Sequence, residues 1–363
     1  MKKVLILANN DVGLYKFRKE LIQELVRDYK VYISLPNGEF IPYLKELGCN
    51  FIETPISRRG TNPITDLKLL INYKKIIGEV KPDLVLTYTI KPNIYGGLAC
   101  KVSGVPYISN ITGLGSAVEN GGLLQKITVF LYKLALKEAS CVFFQNEENR
   151  EFFVKKKIVS NDHRLIPGSG VNLEQYRLLD YPADTTVNFL FIARVMKEKG
   201  IDQYLDAAKF IREKYSNTKF HILGFCEEAY ESTLKEMQEN GVIEYHGMQS
   251  EVKEFHKISH CTIHPTYYPE GMSNVLLESA ACGRPIITTN RSGCREIVDH
   301  GENGYIVEQR NSQDLIEKIE RFLRLDYESK RKMGIIGRNR AANEFDREIV
   351  VNSYIEEIGK ILG

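Results

Sequence analysis

Short runs of β-branched and aromatic residues alternate with amphipathic stretches along the chain, and the whole alternation occurs twice. The first series of runs is KVLILAN, KVYISLP, NFIETP, DLVLTYT, PYISNIT and CVFFQN; the second is VNFLFIA, FHILG, GVIEYHG, CTIHPT, PIITTN and GYIVE. Between members of the first series lie GLYKFRKELIQELVRD, FIPYLKELG, ITDLKLLINYKKIIGEV and NIYGGLACKVSG, whose apolar residues return at intervals of three and four. Parallel strands need long crossover connections, so this pattern predicts α/β domains with a mostly parallel sheet and helices on both faces. A chain of 363 residues also exceeds one ordinary core. We place one domain at 1–168 and a second at 185–345. The stretch LIPGSGVNLEQYRLLDYPADTT carries neither period, is rich in turn formers and reads as the linker. The last helical segment, about 346–363, is a candidate to return to the first domain.

Composition narrows the class. Apolar residues make up 43% and charged residues 26%, as in a soluble globular protein. No stretch approaches the roughly 18 to 20 consecutive apolar residues that cross a bilayer. The start, MKKVLILANNDVG, has an apolar run too short for a signal peptide and reads as a first buried strand. Seven cysteines without a CxxC pair fit reduced thiols, and a cytoplasmic location is expected. The net charge of +2 conceals an asymmetry, since residues 1–170 carry 24 Lys and Arg against 16 Asp and Glu, and the remainder 25 against 31. A basic half suits an anionic partner, or is simply a solvated face. No basic stripe interleaved with aromatics is present, which argues against nucleic acid.

In open α/β sheets ligands bind beyond the carboxyl ends of the strands. The stretch VNFLFIARVMKEKGID puts Arg194 at a strand exit and Lys199 before the next helix, with no GxGxxG turn. Two fixed cations can take the phosphate there, although a surface ion-pair role fits each of them alone. In PEGMSNVLLESAACGRP, Ser273 and Asn274 are N-cap types before an apolar-periodic run, so the positive helix end falls just after Gly271. Such helix starts hold phosphate, and a glycine there removes a blocking Cβ. Glu270 and Glu278 flank this turn, and carboxylates that only accept hydrogen bonds suit hydroxyls at both ends of a diphosphate, as in a nucleoside diphosphate sugar. The seven histidines show no metal-ligand spacing, so no metal site is expected. Asp11 reads as a turn or capping residue.

Taken jointly, E-x7-E at Glu270 and Glu278, R-x4-K at Arg194 and Lys199, and the linker IPGSGVNLEQY resemble the family-4 retaining glycosyltransferases of the GT-B fold. NITGLGSA with the following LLQKITVFLYKLALKEA is similar to their capsule and lipid-linked oligosaccharide branch. The resemblance implies two facing Rossmann-like domains with a cleft between them, the first for the acceptor and the second for the donor. It implies that Arg194 and Lys199 neutralise the departing diphosphate, Glu270 holds the transferred sugar and Glu278 the ribose. The amides of Ser273, Asn274 and Val275 would meet the sugar and distal phosphate, with Gly271 and Met272 in the same donor loop. Met248 falls in the base-binding loop, and Gly13 would let the first domain's backbone approach the diphosphate. On the acceptor side it points to Arg18, Arg58, Arg59, Lys91 and Thr112. Many relatives carry a histidine where this chain offers Thr112, and a threonine cannot act as an acid or base near neutral pH.

The implied reaction transfers a hexose or N-acetylhexosamine from a nucleotide sugar, UDP in the first instance, to a lipid-linked or nascent saccharide in capsule or lipopolysaccharide assembly. It needs no metal or cofactor. LLQKITVFLYKLALKEA, with Lys126, Lys133 and Lys137, suits peripheral docking on the membrane surface, or equally a core helix whose lysines reach water. Two rival readings are a nucleotide-sugar epimerase and a nucleotide-sugar-binding subunit without turnover.

Overall fold

The computed structural model describes residues 1–57, 62–115, 118, 121–160, 162–183 and 185–363; Arg58 and Arg59 lie outside them. The chain forms two compact units. The first contains Met1–Gly170, the short segment Pro269–Met272 and Arg347–Gly363; the second contains Val171–Tyr268 and Ser273–Asp346.

In the first unit the strands are β1 (Lys3–Leu7), β2 (Lys30–Leu35), β3 (Asn50–Glu53), β4 (Leu84–Tyr88), β5 (Tyr107–Ile111), β6 (Cys141–Phe144) and β7 (His163–Leu165). They form one parallel sheet in the order β3-β2-β1-β4-β5-β6-β7. Helices α1 (Asp11–Asp28), α2 (Ile41–Glu46), α3 (Pro63–Val80), α4 (Gly97–Ser103), α5 (Gly122–Leu136) and α6 (Glu147–Lys155) make the connections, and α4 is entered through a π turn at Pro92–Gly96. Helix α1 begins where Asn10 accepts the Gly13 amide, and it buries Leu14, Leu21, Ile22 and Leu25 along one stripe. Helix α3 starts with Asn62 as cap and Pro63 in its first turn, a residue whose fixed φ suits a helix start.

The second unit holds β8 (Val187–Ile192), β9 (Thr218–Leu223), β10 (Glu244–Tyr245), β11 (Cys261–His264), β12 (Ile286–Thr289) and β13 (Gly304–Val307), parallel in the order β10-β9-β8-β11-β12-β13. Its helices are α7 (Ile201–Lys214), α8 (Glu231–Glu239), α9 (Val252–Ile258), α10 (Asn274–Ala281), α11 (Ser312–Leu323) and α12 (Tyr327–Glu344). The last helix, α13 (Arg347–Leu362), belongs to the first unit. There Val350, Val351, Tyr354, Ile358 and Leu362 join α1, α2 and one sheet face in a single apolar cluster, while α3, α4, α5 and α6 share the cluster on the opposite face.

The α/β class expected from the alternation is the class observed. Two details differ. β7 falls where the linker was expected to begin, because a three-residue edge strand reading His-Arg-Leu carries no apolar run. GVIEYHG, expected as a whole strand, supplies only Glu244 and Tyr245 to the sheet, since β10 is its outermost strand and pairs on one side alone.

Candidate functional site

In the second unit the carboxyl end of β8 leads through Arg194 into a 3-10 turn at Lys197–Lys199, and Gly200 opens α7 with φ +78°. A Cβ on Gly200 would run into the carbonyl oxygen of Pro265, so only glycine lets this turn lie against the segment that leaves β11. The Tyr267 amide donates to the Glu198 carbonyl at 2.9 Å, and the Thr266 hydroxyl does so at 3.3 Å. This packing brings both motif cations to one aromatic ring. The Lys199 ammonium stands 4.7 Å and the Arg194 guanidinium 5.7 Å from the centre of the Tyr268 ring. Arg194 is also 3.3 Å from Glu227, which offsets part of its charge, and both side chains of that pair stay about one-third open. His264, at the end of β11, is buried and neither ring nitrogen finds a partner among the described residues. Burial first, and the Lys199 charge second, push its pKa down to about 3, so it is neutral under physiological conditions.

Tyr268 leads through Pro269–Met272 into α10. Ser273 has the extended backbone of an N-cap residue but makes no side-chain cap bond. Its amide donates to the Gly293 carbonyl at 2.7 Å. That amide is therefore already used inside the unit, contrary to the role expected of it. Asn274 and Val275 occupy the first turn of α10, where amides lack intrahelical carbonyls; the ladder begins with the Leu277 amide on the Ser273 carbonyl at 3.2 Å. Glu278 is half-buried one turn further on.

The strand exits of the first unit are built differently. Thr87, Asn93, Ser109, Asn110 and Gln145 form a buried, uncharged network: the Thr87 hydroxyl lies 2.7 Å from the Asn93 oxygen and 2.9 Å from the Ser109 hydroxyl, and the Asn93 amide donates to the Asn110 carbonyl at 2.8 Å. Asn146 caps α6 through the Asn149 amide at 2.9 Å. Its own side-chain amide donates to the carbonyls of Glu270 at 3.1 Å and Gly271 at 2.5 Å. A Cβ on Gly271 would collide with the Thr112 carbonyl and the Gln145 side chain. The close approach that Gly271 permits is thus to its own protein rather than to a phosphate. Met272 is buried against Gly168, and Glu270 is half-buried.

Other expected positions are placed as follows. Gly13 lies within the first turn of α1, and its amide is held by the Asn10 side chain at 2.6 Å. Arg18 is buried, with its guanidinium 5.0 Å from the Tyr88 ring and 5.9 Å from the Tyr354 ring. Lys91 is paired with Asp66 at 2.7 Å, and Tyr95 donates to the same carboxylate at 3.0 Å. Asp11 accepts the Phe40 amide at 2.7 Å, a fixing role between α1 and the turn before α2. Met248 is exposed in the loop after β10. Glu227, Tyr268 and Asn146 were not singled out from sequence, because each acts on a partner more than 30 residues away along the chain.

Residues 182–340 match the family described as glycosyl transferases group 1, and residues 3–146 the glycosyl transferase 4-like family. The two matches cover most of the chain, which belongs to this glycosyltransferase family. It is 26% identical to the N,N'-diacetylbacillosaminyl-diphospho-undecaprenol alpha-1,3-N-acetylgalactosaminyltransferase of Campylobacter jejuni, over 98% of each chain. It is likewise 26% identical to the capsular polysaccharide biosynthesis glycosyltransferase CapM of Staphylococcus aureus, over 95% of this chain and 93% of the relative. Among solved structures, HepE of Anabaena in complex with UDP and glucose superposes with a TM-score of 0.79 at 17% identity, over 99% of this chain and 100% of that one. These neighbours share the GT-B fold.

Proposed function

We propose that the chain is a retaining, metal-independent transferase that moves a hexose or N-acetylhexosamine from UDP to a saccharide carried on a polyprenyl diphosphate, in the assembly of bacterial surface polysaccharide. The observation that carries this reading is the convergence of Arg194 and Lys199 on the Tyr268 ring, directly before the segment that holds Glu270 and leads into α10. The name of the C. jejuni relative supports the acceptor class, that of the S. aureus relative supports surface polysaccharide assembly, and the HepE complex supports UDP as carrier.

In this reaction the bond from the anomeric carbon to the donor diphosphate breaks, and a bond to the acceptor oxygen forms on the same face of the sugar. Negative charge grows on the departing diphosphate, where Arg194 and Lys199 stabilise it together with the free amides of α10. Two cations supply the charge that a divalent metal supplies in other transferases. Thr112 cannot take the acceptor proton, so that proton passes to the departing phosphoryl oxygen. Glu270 fixes the sugar by accepting its hydroxyls, and Glu278 does the same for the ribose.

The acceptor lipid places the reaction at the cytoplasmic membrane face. Among the described residues no helix is long and apolar enough to cross a membrane. Helix α5 instead exposes Leu123, Ile127, Phe130 and Leu134 at helical spacing, with Lys126, Lys133 and Lys137 exposed alongside. An apolar stripe bordered by lysines suits the interface of an anionic bilayer.

The test is transfer from a panel of UDP sugars to a synthetic polyprenyl-diphosphate saccharide, with and without EDTA, and assignment of the product anomer by NMR. Retained configuration and an unchanged rate in EDTA are expected. Inversion, a loss of activity in EDTA that magnesium or manganese restores, or conversion of the donor sugar without acceptor would each overturn the reading.

A further inference from the structure

At the outer edge of the second sheet three side chains meet on one face. His221 on β9 pairs in register with Glu244 on β10, and His246 follows Glu244 by two residues, so the pleat points all three the same way. The Nδ1 of His221 is 3.1 Å from the Nε2 of His246 and 3.3 Å from the carboxylate of Glu244, and His246 is 4.0 Å from that same oxygen. All three ligand atoms lie within 4.8 Å of one another. Metal bonds of roughly 2.0 to 2.1 Å in a tetrahedral site hold ligand atoms about 3.3 Å apart, so this trio is close to the spacing that a single ion imposes.

The surroundings fix the chemistry of the first ligand. Asn188 donates its side-chain amide to the Thr186 carbonyl at 3.1 Å, which turns its oxygen toward the Nε2 of His221 at 3.0 Å. That contact needs a proton on Nε2, so in the neutral ring Nδ1 carries a lone pair directed at His246 and Glu244. A histidine whose far nitrogen donates to a fixed oxygen is the arrangement that orients metal ligands. Glu244 is prepared in the same way: its other oxygen binds Lys219 at 2.8 Å, leaving the one beside the histidines for an ion. Without metal, a proton on the Nε2 of His246 bridges to His221; with metal, that proton sits on Nδ1.

We propose that His221, Glu244 and His246 form a zinc-class site, with a water in the fourth position. Two imidazoles and one carboxylate favour zinc over magnesium or calcium, which prefer oxygen ligands. The role is structural. β10 has only two residues, and the bound ion would fasten it to β9 and so restrain Met248 and its exposed loop just beyond. None of the three side chains is among those assigned to the transfer reaction, and zinc retention is read apart from transfer activity.

The experiment uses the full chain, stripped with a chelator, dialysed and titrated with zinc alone, then with cobalt as a spectroscopic probe. One equivalent of zinc retained through gel filtration, a raised Tm, and tetrahedral cobalt absorption bands are expected. His246→Ala and Glu244→Gln are both partly exposed, should keep the wild-type circular dichroism, and are expected to weaken zinc at least tenfold. Asn188→Ala is expected to weaken it about ten- to a hundredfold through the orientation of His221. Failure of the wild type to retain zinc in the low micromolar range would overturn the proposal, as would equal retention by the wild type and the two ligand variants.

Discussion

The strand exits of the two units make opposite use of polar residues. In the first unit, Thr87, Asn93, Ser109, Asn110, Gln145 and Asn146 are buried, neutral and bonded mostly to one another and to backbone carbonyls. In the second, Arg194 and Lys199 stay partly open over Tyr268, and the amino end of α10 follows close along the chain. A neutral network fixes backbone without burying charge, whereas part-exposed cations keep a positive field at the surface that draws an anion. The same topology thus yields one exit suited to holding protein segments in place and another suited to a diphosphate.

Removing the charge from the second exit is the hardest test of that contrast. Lys199→Ala and Arg194→Ala are each expected to lower kcat/KM by about 10²- to 10³-fold. Initial rates beside melting curves check this; a loss below twofold in both variants would remove the contrast. Acid is expected to separate the units next. His256 and His264, both in the second unit, are buried with pKa values pushed down to about 3 against an ordinary 6.5. Between those values the unfolded chain binds protons that the folded unit refuses, so stability falls as pH drops below 6.5 and levels off near 3. Each histidine contributes a slope of about 1.4 kcal/mol per pH unit in that window. Hydrogen exchange read unit by unit from pH 7 to 5 should show the second unit opening first.

A smaller effect is expected at the neutral exit. Asn146→Ala removes the donor to Glu270 and Gly271 and the cap of α6, and should cost about 1 to 2 kcal/mol. A fall in transfer of around tenfold through a loosened Glu270 is expected with it, measured as rate and Tm on the same sample. Smallest of all, Lys91→Ala should leave transfer within about threefold, since its ammonium is already neutralised by Asp66 at 2.7 Å. A large loss there would show that the first exit also works by charge.

The α/β class was legible because its signal is repeated: a dozen apolar runs, each followed by helical spacing, outweigh any one misplaced boundary. β7 escaped because His163 and Arg164 look like loop residues until β6 is beside them. The motif residues were legible as types at fixed spacing. Their environment was not, since it depends on partners from other strands: Tyr268 beneath both cations, the Gly293 carbonyl that takes the Ser273 amide, and the Thr112 carbonyl against Gly271. Arg18 and Lys91 read as available cations for the same reason. Nothing in their local sequence announces two tyrosine rings or a buried aspartate. The proximity of His221, Glu244 and His246 was not legible along the chain, because the register of β9 and β10 creates it across the sheet.

The return of α13 to the first unit bears on how the protein is made. Arg347 reaches the carbonyls of Gly170 and Lys16 as well as Glu20, and five apolar side chains after it complete the core laid down by α1 and α2. At roughly 5 to 20 residues per second, the ribosome delivers those pieces on the order of ten seconds or more after residue 170 has been joined. Throughout that interval the amino-terminal half waits with a bare hydrophobic flank, in need of a chaperone or of its neighbour's slow arrival. A message cut short before codon 347 would leave that flank bare for good, so quality control can recognise an unfinished copy by its first half.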